Sequence, residues 1–418
     1  MRKTIDNIRF GCWVPPMPDG NYGVPGSFIT VERYKEAKEM GLDFVIGHME
    51  KGPDNPDVRQ ALKCANATGL KYILRREDMI NYAESTPEEL KKALGGVLDD
   101  DALIGVLIRD EPHAREFPRM GKICDLYKKI TDKYFYLNLF PWDAGEELLG
   151  APTYADHLKE LDKYVKNDML SMDIYPLRKK PGGVYYVSDC FLRNLEEIQN
   201  FCLPRKMEHW QFVQGSMAYG ISKAPDYFDM RLQIYASLCY GATVFQYYCY
   251  CTPNLPAVIK KKKWTSMLDY WGNKTKRYYA AQRLCNELHS LGKELIPFEP
   301  YWKGVMPVIG EKNGEKKNAA FDMLETPLKK LEGIKTVKAE QDTIIGSFVK
   351  PDGAKAYVIT NYTVPAYRTK DNVEIVFENA VKATVYIRGK KKSIVTDGGV
   401  LKLILGAGEG VLVIPENA

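Results

Sequence analysis

No stretch of the sequence stays apolar long enough to cross a bilayer, which excludes a helical membrane protein. Histidine is scarce. The five, at positions 48, 113, 157, 209 and 289, show no ligand spacing, and no His–Cys cluster exists, so no metal site is expected. The nine cysteines contain no Cys-x-x-Cys pair and predict reduced, mostly buried thiols, with an odd count leaving one bridge open. A Gly-x-Ser-x-Gly elbow is missing, which argues against a serine hydrolase of that type. Also missing are a phosphate-cradling Gly-x-x-x-x-Gly-Lys and, after the first strand, a Gly-x-Gly-x-x-Gly fingerprint, so no cofactor is called for. Excess charge is small as well. A formal +5 over 418 residues comes partly from Lys260–Lys263 and Lys390–Lys392, which read as solvated faces or loops. Nucleic-acid binding would need a wider basic surface with stacking aromatics.

What is present is ordinary in bulk: 45% hydrophobic and 27% charged residues, enough for a main domain and a smaller one. Met1–Asn7 has no apolar segment of the kind that opens a secretion signal, which predicts a cytoplasmic protein unless a leader has been removed. A homo-oligomer is compatible with everything read so far.

Up to about residue 300, short apolar runs alternate with helix-like segments. Strands are predicted at Ile8–Val14, Leu42–Gly47, Lys71–Leu74, Ala102–Asp110, Tyr134–Phe140, Met169–Ile174, His209–Gln214 and Ala242–Tyr248. Helices fall between them, several with a capping residue, such as Thr30, or with proline in the first turn, as in Thr86-Pro87-Glu88-Glu89. Eight strand–helix units in that length predict an α/β (β/α)8 barrel over residues 1–300. An open doubly wound sheet is the alternative. From residue 301 to 418 the texture changes to strand-like runs at Tyr357–Asn361, Val373–Phe377, Ala383–Ile387, Val400–Leu405 and Gly410–Ile414, which predict a small antiparallel β-sandwich. Glu311–Asn318, rich in Lys, Glu and Gly, is predicted as an exposed loop between the two parts. The sandwich is expected to brace the barrel, its few aromatics other than Tyr362 and Tyr367 speaking against a sugar-binding module.

One motif carries chemistry. Asp110-Glu111-Pro112 follows the apolar run Ala102–Ile108, so a buried strand ends on two carboxylates and is stopped by proline. In a (β/α)8 barrel the strand ends form the site. They are Trp13, His48 and Glu50, Arg75 and Arg76, Asp110 and Glu111, Asn138 and Trp142, Asp173 and Tyr175, Gln214, and Tyr247 and Tyr248. Carboxylates can act on a glycosidic bond, amides and arginines can hold hydroxyls, and aromatic faces can stack on sugar rings. Plainer roles compete: tryptophans and tyrosines pack under loops, His48 is a structural histidine, Arg75 or Arg76 pairs with a neighbouring acid, and Asp173 caps a loop. Glu111 has the fewest such alternatives.

At these residues the chain resembles the clan A glycoside hydrolases, and most of all the β-galactosidase-like proteins near family forty-two carried by gut bacteria. The resemblance rests on Leu107-Ile-Arg-Asp-Glu-Pro112, Tyr136-Leu-Asn-Leu-Phe-Pro141, Leu170-Ser-Met-Asp-Ile-Tyr-Pro176, Trp210-Gln-Phe-Val-Gln214 and Arg231–Gly241, in that order. It implies a carbohydrate substrate and places Glu111 as the acid/base. Asp110 stands where such enzymes carry asparagine. The nucleophile position at the end of strand seven holds Gln214, an amide, while Glu208 lies at the strand's other end. A second carboxylate must then come from Asp173 or Glu50. On this reading Trp13, Trp142 and Tyr248 form stacking walls, and Asn138, Gln214 and Tyr175 hold hydroxyls. A non-catalytic carbohydrate-binding protein on the same barrel is the alternative. A sugar-acid isomerase or lyase, with Arg75 or Arg76 holding a carboxylate, is a third.

Overall fold

In a computed structural model of the chain, residues 6–18, 26–48, 55–180, 182–216, 224–253 and 265–417 are described. Eight parallel strands form the first unit: β1 (Arg9–Cys12), β2 (Phe44–Ile46), β3 (Lys71–Arg75), β4 (Leu103–Asp110), β5 (Tyr134–Leu139), β6 (Met169–Met172), β7 (Glu208–Gln214) and β8 (Val244–Tyr248). Their hydrogen-bonded order is β1-β8-β7-β6-β5-β4-β3-β2. Asp43 closes the ring between β1 and β2. Its N–H donates to Phe10 O at 2.7 Å, and its Oδ2 accepts from the Phe10 N–H at 2.9 Å. The result is the (β/α)8 barrel that the alternation predicts, not an open sheet.

Helices α1 (Val31–Glu39), α2 (Pro56–Thr68), α3 (Pro87–Leu94), α4 (Phe117–Ile130), α5 (Tyr154–Tyr164), α6 (Cys190–Arg205), α7 (Tyr227–Cys239) and α8 (Lys276–Leu295) surround it. Local chemistry sets their ends. Thr86 and Glu89 form a reciprocal capping box with Pro87 in the first turn of α3, and Gly69 ends α2 at φ 71°, where a side chain would be strained. Phe117, Met120, Ile123, Cys124 and Tyr127 recur at helical spacing and are the buried face of α4. Among the described residues no helix is long and apolar enough to cross a membrane. All nine cysteines are buried free thiols.

The barrel interior is filled by rings. Trp210 lies against Phe44 (5.3 Å between centroids), Tyr134 (5.1 Å) and Tyr136 (5.6 Å). Glu208 is buried at the start of β7, accepting from Tyr134 Oη and Trp210 Nε1, both at 2.8 Å. It is part of the floor, as its place at the wrong end of the strand implies. The opposite mouth, where the strands end, is therefore the place to look for a ligand.

The second unit is a two-sheet sandwich. Its strands are β9 (Trp302–Val308), β10 (Ile334–Ala339), β11 (Thr343–Val349), β12 (Lys355–Asn361), β13 (Lys370–Phe377), β14 (Ala380–Ile387), β15 (Lys390–Val395), β16 (Val400–Gly406) and β17 (Gly410–Asn417). One sheet has the order β9-β11-β12-β17-β14-β15 and the other β10-β13-β16. Glu311–Asn318 is exposed, but it follows β9 and so belongs inside the sandwich, not between the two units. Lys390–Lys392 are exposed on β15, an edge strand that such charges keep from pairing with other chains. Lys260–Lys263 lie outside the described residues.

Helix α7 is the joint between the units. A Cβ on Gly346 of β11 would come within 2.3 Å of Cys239 O, and one on Gly410 within 2.2 Å of the Tyr235 ring. Trp302 Nε1 donates to Cys239 O at 2.8 Å. Backbone faces backbone at Gly346, so no flexible side chain can give way. Gly346→Ala is expected to lower stability by about 1–3 kcal/mol through overpacking, read as a lower urea midpoint with the fold kept.

Candidate active site

A bulge decides which way the acids of β4 face. Inward positions alternate along each strand: Gly105 and Leu107 on β4 face Tyr134 and Tyr136 on β5. Continued regularly, that alternation would send Asp110 outward. Instead the register shifts between Leu107 and Arg109, so Asp110 pairs with Asn138 and joins the inward row. The next residue, Glu111, has φ 47°, the left-handed region that non-glycine residues rarely adopt, and its N–H donates to Asn138 O at 2.8 Å. Two consecutive acids are thus both held at the mouth, at a local conformational cost of about 1–2 kcal/mol.

Asn138 is the centre of the cluster. Its Nδ2 donates to Asp110 Oδ1 at 3.1 Å and to Asp173 Oδ1 at 2.9 Å. Its Oδ1 accepts from Ser171 Oγ at 2.9 Å, which settles which end of the amide faces the acids. Ser171 is held in turn by Gln246 Nε2 (2.9 Å) and by the Tyr136 hydroxyl (2.9 Å), which also reaches Gln246 Oε1 at 2.6 Å. The layer beneath the acids is therefore a closed polar network, fixed before any ligand arrives.

The charges are frustrated. Burial, then the carboxylates of Asp173 and Asp110, push Glu111 up to about 8. Burial and then Asp110 push Asp173 up to about 7, although Asn138 and the Tyr175 hydroxyl donate to it. Burial also raises Asp110, against Arg75 and Asn138. A carboxyl raised in the folded state keeps its proton at pH values where the unfolded chain has lost it, so stability falls as pH rises from the usual carboxylate range towards 7. Asp173→Asn is expected to be more stable than the natural chain at pH 8 by about 1–2 kcal/mol and no more stable at pH 4, measured by denaturation at both pH values.

Around the acids stand Arg75, Trp13, Tyr175 and Tyr248. Arg75 Nη2 is 2.6 Å from Glu77 Oε1 and 3.8 Å from Asp110 Oδ2, with its guanidinium 4.5 Å above the Trp13 ring. The edge of Trp13 meets Phe212. Tyr175 and Tyr248 lie 5.2 Å apart at 45°. Arg76 is buried away from this group against Asp78 and Ala93 O. Both arginines thus have acid partners, where a partner was expected for one.

Other expected positions fall elsewhere. Gln214 is fully buried. Its Oε1 accepts from the Leu177 N–H at 3.1 Å and its N–H donates to Gln233 Oε1 at 2.8 Å, so it anchors the chain after β6 and does not reach a sugar hydroxyl. His48 borders a side pocket with Pro15, Tyr34 and Tyr72, and burial, then Arg75, hold it down to about 4, hence neutral at pH 7. Trp142 stands over α6, its N–H donating to Asn194 Oδ1 at 2.8 Å and its ring 5.9 Å from the Arg193 guanidinium. Tyr247 is buried against Phe10, on the outer side of β8. Glu50 lies outside the described residues.

Sequence reasoning missed Glu77, which holds Arg75, and the triad Tyr136, Ser171 and Gln246. The triad was findable, because each member sits two residues before a named site residue and so on the same strand face. Among the described residues no three histidine, cysteine or acidic side chains are grouped to hold a metal ion.

No protein-family model matches the sequence, and no curated protein does. Solved structures do. A β-galactosidase from Bacillus circulans sp. alkalophilus is 9% identical with a TM-score of 0.58, over 98% of this chain and 99% of that one. A family 39 glycoside hydrolase from the gut symbiont Bacteroides cellulosilyticus WH2 is 13% identical with a TM-score of 0.52, over 99% and 82%. A β-galactosidase from the psychrophilic Marinomonas ef1 is 11% identical with a TM-score of 0.47; the match covers 73% of this chain and 63% of that one. The first two, above 0.5, bear on the fold: the chain shares the fold of these two glycoside hydrolase structures.

Proposed function

We propose that the protein is a glycoside hydrolase acting on oligosaccharides or simple glycosides, with Glu111 as general acid and Asp173 as the second carboxylate. One observation carries the reading: the Asn138 amide donates to the carboxylates of Asp110 and Asp173, and Glu111, held by its N–H on Asn138 O, feels both charges at the mouth of the barrel. Glu111 holds a proton to about 8 and can deliver it to a leaving glycosidic oxygen. Asp173, once ionised, is the second carboxylate and acts as base or nucleophile. The Asp110 carboxylate, beside Glu111, adds to the burial and the Asp173 charge that raise it. Tyr175, Tyr248 and Trp13 offer ring faces to the sugar.

The test is a panel of aryl glycosides, β-galactosides first because the Bacillus structure is named for that activity. The two carboxyls titrate as a pair, so a narrow bell-shaped pH profile is expected, with its maximum between about 7 and 8. Activity should fall above it as Glu111 deprotonates and below it as Asp173 gains a proton. A maximum near pH 4 would remove these roles.

A second reading, sugar binding without cleavage, draws on Gln214. The amide ends the strand that carries a carboxylate in clan A enzymes, and here it is tied to Leu177. Calorimetric binding of a glycoside with no turnover anywhere in the panel would favour it.

A further inference from the structure

Directly after Tyr175 and Pro176 the chain forms a two-stranded hairpin, Leu177–Lys179 against Tyr185–Val187, rooted at the exit of β6 beside Asp173. Two contacts, to Gln214 and Asp143, tie it to the barrel rim, and a backbone bond from Ser188 to Pro176 closes its own base. Leu177 N–H donates to Gln214 Oε1 at 3.1 Å, Ser188 N–H donates to Pro176 O at 2.8 Å, and Arg178 Nη2 lies 3.7 Å from Asp143 Oδ2 in the loop after β5. An otherwise puzzling buried amide, Gln214, thus has the task of fixing this hairpin in place.

Its composition differs from that of the cleft. The cleft gathers acids; the hairpin gathers Arg178, Lys179 and Lys180 with Tyr185 and Tyr186. Lys179 Nζ lies 5.9 Å from the Tyr185 ring centre and Lys180 Nζ 5.1 Å from that of Tyr186. Neither lysine has an acidic partner among the described residues, and both are exposed. An isolated ammonium beside a ring face is a two-part reader: the ring takes the apolar face of a sugar, and the ammonium takes an anion carried by that sugar.

We propose that this hairpin is an anion-reading subsite, which takes the carboxylate or sulfate of an acidic sugar unit next to the one held at Glu111. The inference rests on the glycosidase reading for its sense, because it names the substrate class as acidic oligosaccharides. Its test is one of binding, so the two can fail separately. Bond cleavage stays with the cleft, and the hairpin adds affinity for the longer chain.

Calorimetric titration with tetragalacturonate, a sulfated carrageenan tetrasaccharide and neutral cellotetraose tests it. The natural protein is expected to bind one or both anionic probes at least about tenfold tighter than cellotetraose, and which one binds identifies the anion. The double variant Lys179→Gln, Lys180→Gln should lose that preference while keeping cellotetraose affinity and aryl glycoside turnover. Both side chains are exposed, so the fold should tolerate the change. Tyr186→Ala should weaken all three probes. Equal affinity for all three in the natural protein, or an unchanged preference in the double variant, overturns the proposal. Preference without any turnover would remove the hydrolase and leave the subsite standing.

Discussion

Glu111→Gln is expected to lower kcat on an alkyl or sugar-leaving glycoside by about 10³–10⁴-fold, with KM changed less than threefold. The substitution preserves shape, and glutamine can occupy the left-handed backbone site at φ 47° as well as glutamate does. It removes only the proton that burial, Asp173 and Asp110 hold on the side chain up to about 8. A leaving group that needs no proton should escape the effect. On a dinitrophenyl glycoside the loss is expected to shrink to about tenfold or less, and the alkaline limb of the pH profile should vanish. Equal losses on both substrates would mean that Glu111 does not act as an acid. An unchanged kcat on both would remove it from the chemistry altogether. The variant should also gain stability above pH 7, because the repulsion it relieves is present in the free protein.

How much of this could be read from residues alone varies with the kind of information needed. The barrel strands announce themselves because each is a short apolar run between helix caps, and the run read at Tyr134–Phe140 appears as the strand Tyr134–Leu139. In the sandwich, Thr343–Val349 and Ile334–Ala339 went unread for opposite reasons. The first is buried throughout and shows no alternation; the second is half exposed, with Lys335 and Lys338 breaking its apolar run. At the site, Asp110-Glu111-Pro112 was legible because proline and two acids end a strand whatever surrounds it. The bulge that turns Asp110 inward was not, since it depends on how β4 registers against β5. Gln214 shows the same limit. Its strand position faces the mouth, but a single backbone N–H from another loop takes up its acceptor. Which side chains are free for substrate is a property of neighbours distant in sequence, and spacing along one strand does not contain it.

Glu409→Gln is expected to cost about 3–5 kcal/mol of stability, the second largest effect after loss of Glu111. Glu409, on the turn between β16 and β17, is almost wholly buried where the sandwich meets α7. Its carboxylate accepts from Arg388 Nε, from Arg388 Nη2 at 2.8 Å and from the Gly406 N–H at 2.7 Å, and it faces Arg231 Nη1 at 3.4 Å. Arg231, on α7, is buried as well, donating to Ala407 O at 3.1 Å with its guanidinium over Tyr227 and Phe228. Neutralising Glu409 therefore leaves a buried guanidinium without its counter-charge. Burial raises the Glu409 carboxyl, but Arg388 and Arg231 outweigh it and hold the group below its ordinary range. Its stabilisation is thus present at neutral pH and lost as pH falls through and below the ordinary carboxylate range, so the variant should show a shallower acid limb in a pH series of urea midpoints. The same helix carries Gln233, whose Oε1 accepts from the Gln214 N–H, and Gln214 in turn holds the hairpin at the mouth. The sandwich thereby supports the rim of the cleft through one helix. Turnover and near-ultraviolet dichroism are expected to disappear together as Glu409→Gln is heated. A variant that lost its tertiary signal while keeping activity would show that the joint at α7 does not reach the site.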